Sequence, residues 1–148
     1  MRFLVDKAVK LGLGWNERPL ATDDLYRICK RLRIVVQEMP LRTDGFYYRV
    51  MGRDFIAIDS KLNEAKKQFV LAHELAHFLF HTPESGATAN FHGVGRRTRQ
   101  ECEADVFAIC AVLPLPLIEG RDPQELIDDG WPADMVAARV DVLTRYGF

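Results

Sequence analysis

The sequence predicts a small α+β domain in which a sheet of three short strands precedes a set of helices. Three observations predict this fold class. The length of 148 residues and the hydrophobic content of 48% suit one domain over residues 1–148. Segments rich in β-branched and aromatic residues lie between residues 33 and 60. From Asn63 onward, apolar residues recur at helical spacing.

The first predicted elements are a short helix and the three strands. The stretch ATDDLYRICKRL carries two acids near its start and bases near its end, which complement a helix dipole, and Thr22 is its expected N-cap. The segments RIVVQEM, GFYYRVM and DFIAIDS are typical of β-strands. Gly52-Arg53 separates the last two and suits a type II′ turn, so we expect a hairpin.

The remainder of the chain is predicted to be mainly helical. The helix that starts near Asn63 places Leu71, Leu75 and Leu79 on one stripe, and Pro83 ends it. A polar loop with several glycines follows over residues 82–97. Further helices are expected at about 98–113, 122–130 and 132–147, with a left-handed glycine cap at the last of these ends.

Charge and hydropathy exclude two classes of partner. Lys and Arg number 20 against 21 Asp and Glu, so the net charge of −1 provides no long-range field for nucleic acid or an anionic membrane. Asp6 and Lys7 interrupt the N-terminal apolar stretch, and no apolar run reaches the roughly 18 residues of a membrane span. We expect a soluble, cytoplasmic protein.

The three cysteines fit a reducing compartment. Cys102 and Cys110 lie eight residues apart on one predicted helix. At about 1.5 Å rise per residue they are about 12 Å apart, beyond the roughly 7 Å limit for a disulfide. Reduced thiols that pack between helices are therefore expected.

The strongest functional signal is the motif H-E-x-x-H at His73, Glu74 and His77. Four residues advance a helix by about 400°, so the two imidazoles lie about 40° apart and can reach one tetrahedral ion. Glu74 lies beside them, where it can act as a general base on a water molecule. The alternative is a structural pair of histidines, but burying this polar set unpaired would cost several kcal/mol. The motif therefore predicts a zinc site.

A catalytic zinc needs a third protein ligand, and the segment RQECEADVFAICAVLP offers the best candidate. Glu101 shares a helix face with Asp105, which could accept the second ring N–H of a ligand histidine, whereas Glu103 points about 200° away from Glu101. We favour Glu101 over Glu103 and over His92. A capping box with Thr98 is the structural alternative for Glu101.

The two motifs FVLAHELAHFLFH and ECEADVFAICAVLP resemble those of the ImmA/IrrE family of metallopeptidases. The resemblance covers roughly residues 22–114 and implies a minimal zincin fold, with Glu101 as the third ligand from an E-x-x-A-[DN] helix. Ala76 stands where many relatives have Gly, and Asp105 replaces a frequent Asn; neither change threatens the metal site. His81 is interpreted as a structural residue.

The expected function is that of a zinc-dependent endopeptidase with His73, His77 and Glu101 as ligands and Glu74 as the base. Tyr47, Tyr48 and His92 are candidates for an oxyanion donor. The exposed edge of the hairpin could hold an extended substrate by strand addition. The resemblance implies a helix-turn-helix repressor of mobile elements or stress genes as substrate.

Two alternatives to this function stay open. One is a protein-binding module, such as an antirepressor or toxin–antitoxin partner, in which zinc is structural. The other is zinc-dependent hydrolysis of a small molecule. An intact base beside the metal argues against a purely structural ion.

Overall fold

The chain forms one small sheet and a set of helices, several of which pack on the sheet or on one another. A computed structural model describes residues 1–81, 88–91 and 98–148. The helices and strands in chain order are α1 (Arg2–Lys10), α2 (Thr22–Arg31), β1 (Ile34–Met39), β2 (Gly45–Val50), β3 (Arg53–Asp59), α3 (Glu64–His81), β4 (Thr88–Phe91), α4 (Arg99–Val112), α5 (Leu115–Ile118), α6 (Pro123–Asp128) and α7 (Ala133–Tyr146). The predicted α+β fold class is confirmed.

The sheet has four strands in the order β1-β3-β2-β4. β1 runs parallel to β3, with Ile34 opposite Asp54, and β2 pairs antiparallel with β3. These are the three strands predicted from the sequence. β4 adds a fourth strand, which pairs antiparallel with β2 over residues 46–49. The expectation of a loop throughout residues 82–97 is therefore wrong for Thr88–Phe91, because a strand of four residues is too short for its alternation to be recognised.

The hairpin turn is centred one residue earlier than predicted. Val50 pairs with Arg53, so Met51 and Gly52 are the two turn residues. Both have positive φ, at 50° and 74°, which is the pattern of a type I′ turn. The predicted type II′ turn at Gly52-Arg53 is wrong because Met51 adopts the left-handed conformation.

The helix boundaries agree with the predicted stop and start signals, with one exception. Thr98 caps α4 by accepting the amide of Glu101, and Gly147 ends α7 with a φ of 80°. Thr22, however, lies inside α2, and Ala21 occupies the N-cap position. Asp24, three residues after Ala21, accepts the Ala21 amide at 3.0 Å, which is the carboxylate half of a capping box.

The helix α3 lies directly on the sheet, and a glycine permits the close approach. A Cβ on Gly45 would be 2.7 Å from the Ala57 carbonyl oxygen and 2.8 Å from Val70 Cγ1. Along α3 every residue from Val70 to His77 is buried. The polar residues of the H-E-x-x-H motif thus lie in the interior of the domain, between the sheet and α4.

The helix α4 and the C-terminal helices complete the core. Trp15 stacks on Phe107 of α4 at 5.8 Å and donates its indole N–H to the Phe107 carbonyl at 2.9 Å. Arg139 of α7 is fully buried, and its guanidinium donates to the carbonyls of Leu113 and Phe148 and to Asn16 Oδ1, at 2.6, 2.8 and 3.1 Å. This guanidinium connects α7 to the end of α4 and to the segment after α1.

Cys29 and Cys110 are buried, and Cys102 is half-buried. None of the helices in the described ranges is both long enough and apolar enough to cross a bilayer.

Candidate metal and active site

The helix α3 places the whole H-E-x-x-H motif in the protein interior. His73, Glu74 and His77 are at most 1% exposed. The one-turn spacing brings the imidazoles side by side, with ring centroids 4.9 Å apart and the two Nε2 atoms at 3.1 Å. The helical geometry expected from the spacing of the motif is therefore present.

The helix α4 supplies a carboxylate to this pair. Glu101 Oε2 lies 3.2 Å from His73 Nε2, and Glu101 Oε1 lies 2.9 Å from His77 Nε2. One ligand atom from each of these three residues lies within 4.8 Å of the others, so the group could hold a metal ion. The structure brings together the three residues that the sequence analysis favoured as ligands.

The spacing of these atoms fits a small tetrahedral cation. With metal–ligand bonds of about 2.0–2.1 Å, neighbouring ligand atoms in a tetrahedron lie about 3.3–3.4 Å apart. The two Nε2 atoms lie 3.1 Å apart, and each lies 2.9–3.2 Å from a different oxygen of the Glu101 carboxylate, so at least one of these oxygens can join both nitrogens around a single ion. Two imidazoles with one carboxylate is also a donor set typical of catalytic zinc. The residues present therefore fit zinc with little rearrangement.

Asp105 lies behind one of the candidate ligands. Its Oδ1 is 2.8 Å from His73 Nδ1, the ring nitrogen opposite to the one that faces Glu101. A carboxylate in this place orients the ring and increases its basicity as a ligand. This contact was expected, because Glu101 and Asp105 lie one turn apart on the same face of α4.

The two histidines differ in their affinity for protons. Burial alone would lower the pKa of His73, but hydrogen bonds with Asp105 and Glu101 outweigh burial and raise this pKa to about 9. Burial and the charge of His73 lower the pKa of His77 to about 4. His77 is therefore neutral at pH 7 with a lone pair available, whereas His73 must release a proton before it can bind a metal.

Glu74 is a buried carboxyl group beside the triad. Burial raises its pKa to about 8, the charge of His73 lowers it, and the charge of Glu101 raises it. An interaction with the backbone of Tyr47 in β2 also lowers this pKa. Neither carboxylate oxygen makes a hydrogen bond of normal geometry with the described residues. A buried carboxyl group with a pKa near 8 is suited to act as a general base.

The positions of the carboxylates distinguish Glu101 from Glu103 as the candidate third ligand. The Glu103 carboxylate contacts His81 Nε2 at 2.8 Å and Arg99 Nε at 2.7 Å, and it is not part of the triad. Thr98 accepts the Glu101 amide, so half of the capping box exists, but the Glu101 carboxylate points to the histidines. His92 lies outside the described residues.

The two tyrosine candidates for an oxyanion donor lie on opposite faces of β2. Tyr47 faces α3, where its ring contacts Phe78, but its hydroxyl donates to Asp54 Oδ1 at 2.6 Å. Tyr48 stacks on Phe55 at 4.8 Å on the other face of the sheet, because successive side chains of a strand alternate. Tyr48 therefore points away from the triad, and the Tyr47 hydroxyl is already engaged.

The hairpin edge that was expected to bind an extended substrate is covered by another strand. β3 of the hairpin pairs with β1, and β2 pairs with β4, so the central part of neither hairpin strand has an open edge. The prediction of an exposed hairpin edge is wrong because β4 covers it. Within the described parts of the chain, the outer strands are β1 and β4.

One pair of residues next to the triad was not expected from the sequence. His81 Nδ1 lies 3.1 Å from His77 Nδ1, and His81 Nε2 lies 2.8 Å from Glu103 Oε2. His81 was interpreted as a structural residue. Its position four residues after His77 repeats the spacing of His73 and His77 and was the available signal.

The fold and the triad together define a zincin-like domain of the metallopeptidase type, with H-E-x-x-H on one helix and a glutamate from the next. More particularly, the chain belongs to the family described as Peptidase_M78, IrrE N-terminal-like domain, whose model matches residues 29–145. The resemblance to ImmA/IrrE proteins is thereby confirmed, and the match extends through most of α7, beyond the residues that carried the resemblance.

One similar protein comes from a bacteriophage. It is described as "Uncharacterized immunity region protein 2" of Bacillus phage phi105 and is 30% identical over 95 residues, which are 63% of this chain. The chain covers 60% of that relative's length.

Proposed function

We propose that this protein is a zinc-dependent endopeptidase of narrow specificity that cleaves a regulatory protein, such as a helix-turn-helix transcriptional repressor. His73, His77 and Glu101 would hold the zinc, and Glu74 would be the catalytic base. The observation that carries the proposal is the buried Glu74 carboxyl beside three convergent ligand atoms. A purely structural metal site has no use for such a group.

The chemistry follows from the positions of these residues. A zinc ion in this site would polarise a peptide carbonyl and acidify a water molecule. Glu74 would accept the proton of the attacking water and pass it to the leaving amide nitrogen. The raised pKa of Glu74, about 8, keeps the carboxyl group basic enough for both transfers near neutral pH. Asp105 would keep His73 in the orientation that binding requires.

The size of the domain argues for a restricted substrate. In the described residues the site lies between one sheet and two helices, which leave little surface to enclose a folded protein. A segment that is extended, or that unfolds locally, could add to the outer edge of β4, which follows β2 and Tyr47 across the sheet. Casein-type substrates should therefore be cut poorly.

The proposed partner rests on similarity. The phage relative is described as an immunity region protein. Immunity in this sense suggests control of a resident mobile element, which a repressor would exert. We therefore extend the proposal to a repressor or a similar regulatory protein as the substrate of this chain.

The alternative function is a non-cleaving antirepressor or toxin–antitoxin partner with a structural zinc. The experiment that decides between the two uses Glu74→Gln, which keeps the ligands but removes the base. This variant should bind zinc, capture the partner in the protein's own cells and fail to cut it. The wild type should cut the captured partner at one or two positions in a zinc-dependent manner.

Two controls sharpen this experiment. Glu64→Gln changes an exposed glutamate at the start of the same helix and should cleave like the wild type. His77→Ala should lose both zinc and cleavage. If Glu74→Gln reproduces every cellular effect of the wild type, the proposed peptidase activity is refuted and the binding module is favoured.

A further inference from the structure

We infer that His81 and Glu103 are positioning residues that hold His77 in the orientation its role in the metal site requires. The inference rests on the zinc site of the proposed function but not on cleavage. Neither residue belongs to the triad that could hold the ion. Both act through His77, so they deepen the proposed site.

The geometry is a chain of three side chains. His77 turns its Nε2 toward His73 and Glu101, so its Nδ1 faces the other way. There it meets His81 Nδ1 at 3.1 Å. The second nitrogen of His81 reaches the Glu103 carboxylate at 2.8 Å. The side chains of His81 and Glu103 are only 5% and 17% exposed, so solvent competes little for these contacts.

The contacts allow one arrangement of protons when His77 binds a metal through Nε2. The lone pair of Nε2 is then used, so Nδ1 carries the hydrogen and donates it. His81 Nδ1 must accept this hydrogen bond, which places the hydrogen of neutral His81 on Nε2. A carboxylate only accepts, so Glu103 fixes this tautomer of His81. Glu103 thus determines, through His81, which nitrogen of His77 is available.

The arrangement parallels the support of the other histidine. Asp105 contacts His73 Nδ1 directly at 2.8 Å, whereas Glu103 reaches His77 through one intervening imidazole. Both carboxylates project from α4. Arg99, one turn before Glu103, donates to its second oxygen at 2.7 Å and is exposed to solvent. Arg99 provides a control, because it contacts the Glu103 oxygen that does not face His81.

The test compares zinc affinity in two variants of His81. His81→Leu introduces an apolar side chain of similar size and removes the acceptor for His77 Nδ1–H. His81→Asn places an amide oxygen near the position of Nδ1 and can accept the same hydrogen bond. Competition with a chelator should show zinc affinity about 10–100-fold lower for His81→Leu, with part of the loss restored in His81→Asn.

A second pair of variants tests the carboxylate without altering the histidine. Glu103→Ala should weaken zinc binding, Glu103→Gln should weaken it less because its amide oxygen still accepts from His81, and Arg99→Ala should bind like the wild type. In the zinc-loaded wild type, nitrogen NMR should show hydrogen on His77 Nδ1 and on His81 Nε2. In Glu103→Ala the hydrogen of His81 should distribute over both nitrogens.

The outcomes separate this inference from the proposed function. Equal zinc affinity in the wild type, His81→Leu and Glu103→Ala would overturn the positioning role alone. Hydrogen on His81 Nδ1 in the zinc-loaded wild type would do the same. A wild type that binds zinc as described but cuts no partner would overturn the peptidase activity and leave the positioning role standing. A wild type that binds no zinc would overturn both.

Discussion

The contact of Asp105 with His73 gives the most informative single prediction. Asp105→Ala removes an acceptor 2.8 Å from a ring nitrogen that is fully buried. Loss of a carboxylate behind a ligand histidine typically lowers metal affinity about 10–100-fold, or about 1.4–2.8 kcal/mol. We expect a loss in this range, together with reduced cleavage of the partner.

The loss of zinc affinity in Asp105→Ala should depend on pH, because Asp105 also raises the pKa of His73. In the metal-free wild type this pKa is about 9, so below pH 9 a proton competes with the metal and apparent zinc affinity falls about tenfold per pH unit. Without Asp105 the pKa of His73 falls and the proton competes less. The difference in zinc affinity between the wild type and Asp105→Ala should therefore be largest near pH 9 and should become smaller toward pH 7.

The assay is competition with a chelator of known zinc affinity at pH 7, 8 and 9, with correction for protonation of the chelator. Asp105→Asn should lose less than Asp105→Ala, because its amide oxygen can still accept from His73. Asp141→Ala, which removes a carboxylate on α7 that pairs with Arg145, is the matched control and should bind zinc like the wild type. Equal affinity of Asp105→Ala and the wild type at pH 9 would refute the assigned role.

Three further predictions concern the fold that holds the site. Gly45→Ala should lower the free energy of unfolding by about 1–3 kcal/mol in urea, because its Cβ would overlap the sheet and α3; an unchanged midpoint would contradict this packing. Arg139→Met should lower the free energy of unfolding by about 3 kcal/mol or more in thermal unfolding, since the Leu113 and Phe148 carbonyls and Asn16 Oδ1 each lose a hydrogen-bond donor; a loss below about 1 kcal/mol would show that the network is dispensable. In native protein a thiol reagent should label half-buried Cys102 first, because burial raises the pKa of Cys29 to about 12 and of Cys110 to about 11; faster labelling of either buried thiol would disprove the packing.

The local elements and the core of the candidate metal site could be predicted from the sequence because both depend on short-range spacing. A helix places residues four apart on one face, so H-E-x-x-H fixed the relation of His73, Glu74 and His77 before any fold was known. The same rule tied Asp105 to Glu101 and turned Glu103 away from it. These relations survive in the structure because α3 and α4 are regular helices over these residues.

The tertiary structure decided what depends on contacts between elements. The sequence favoured Glu101 but left Glu103 and His92 as alternatives, and only the packing of α4 on α3 brought the Glu101 carboxylate to both imidazoles. The same packing joined Glu103 to His81, 22 residues apart, which no helical period could indicate. β4 could not be predicted for a similar reason, since a four-residue strand is stabilised by pairing with β2 and not by its own sequence pattern. Spacing along one helix is set by local backbone geometry, whereas the choice between two carboxylates on neighbouring turns depends on how two helices cross, and that is fixed by the whole core.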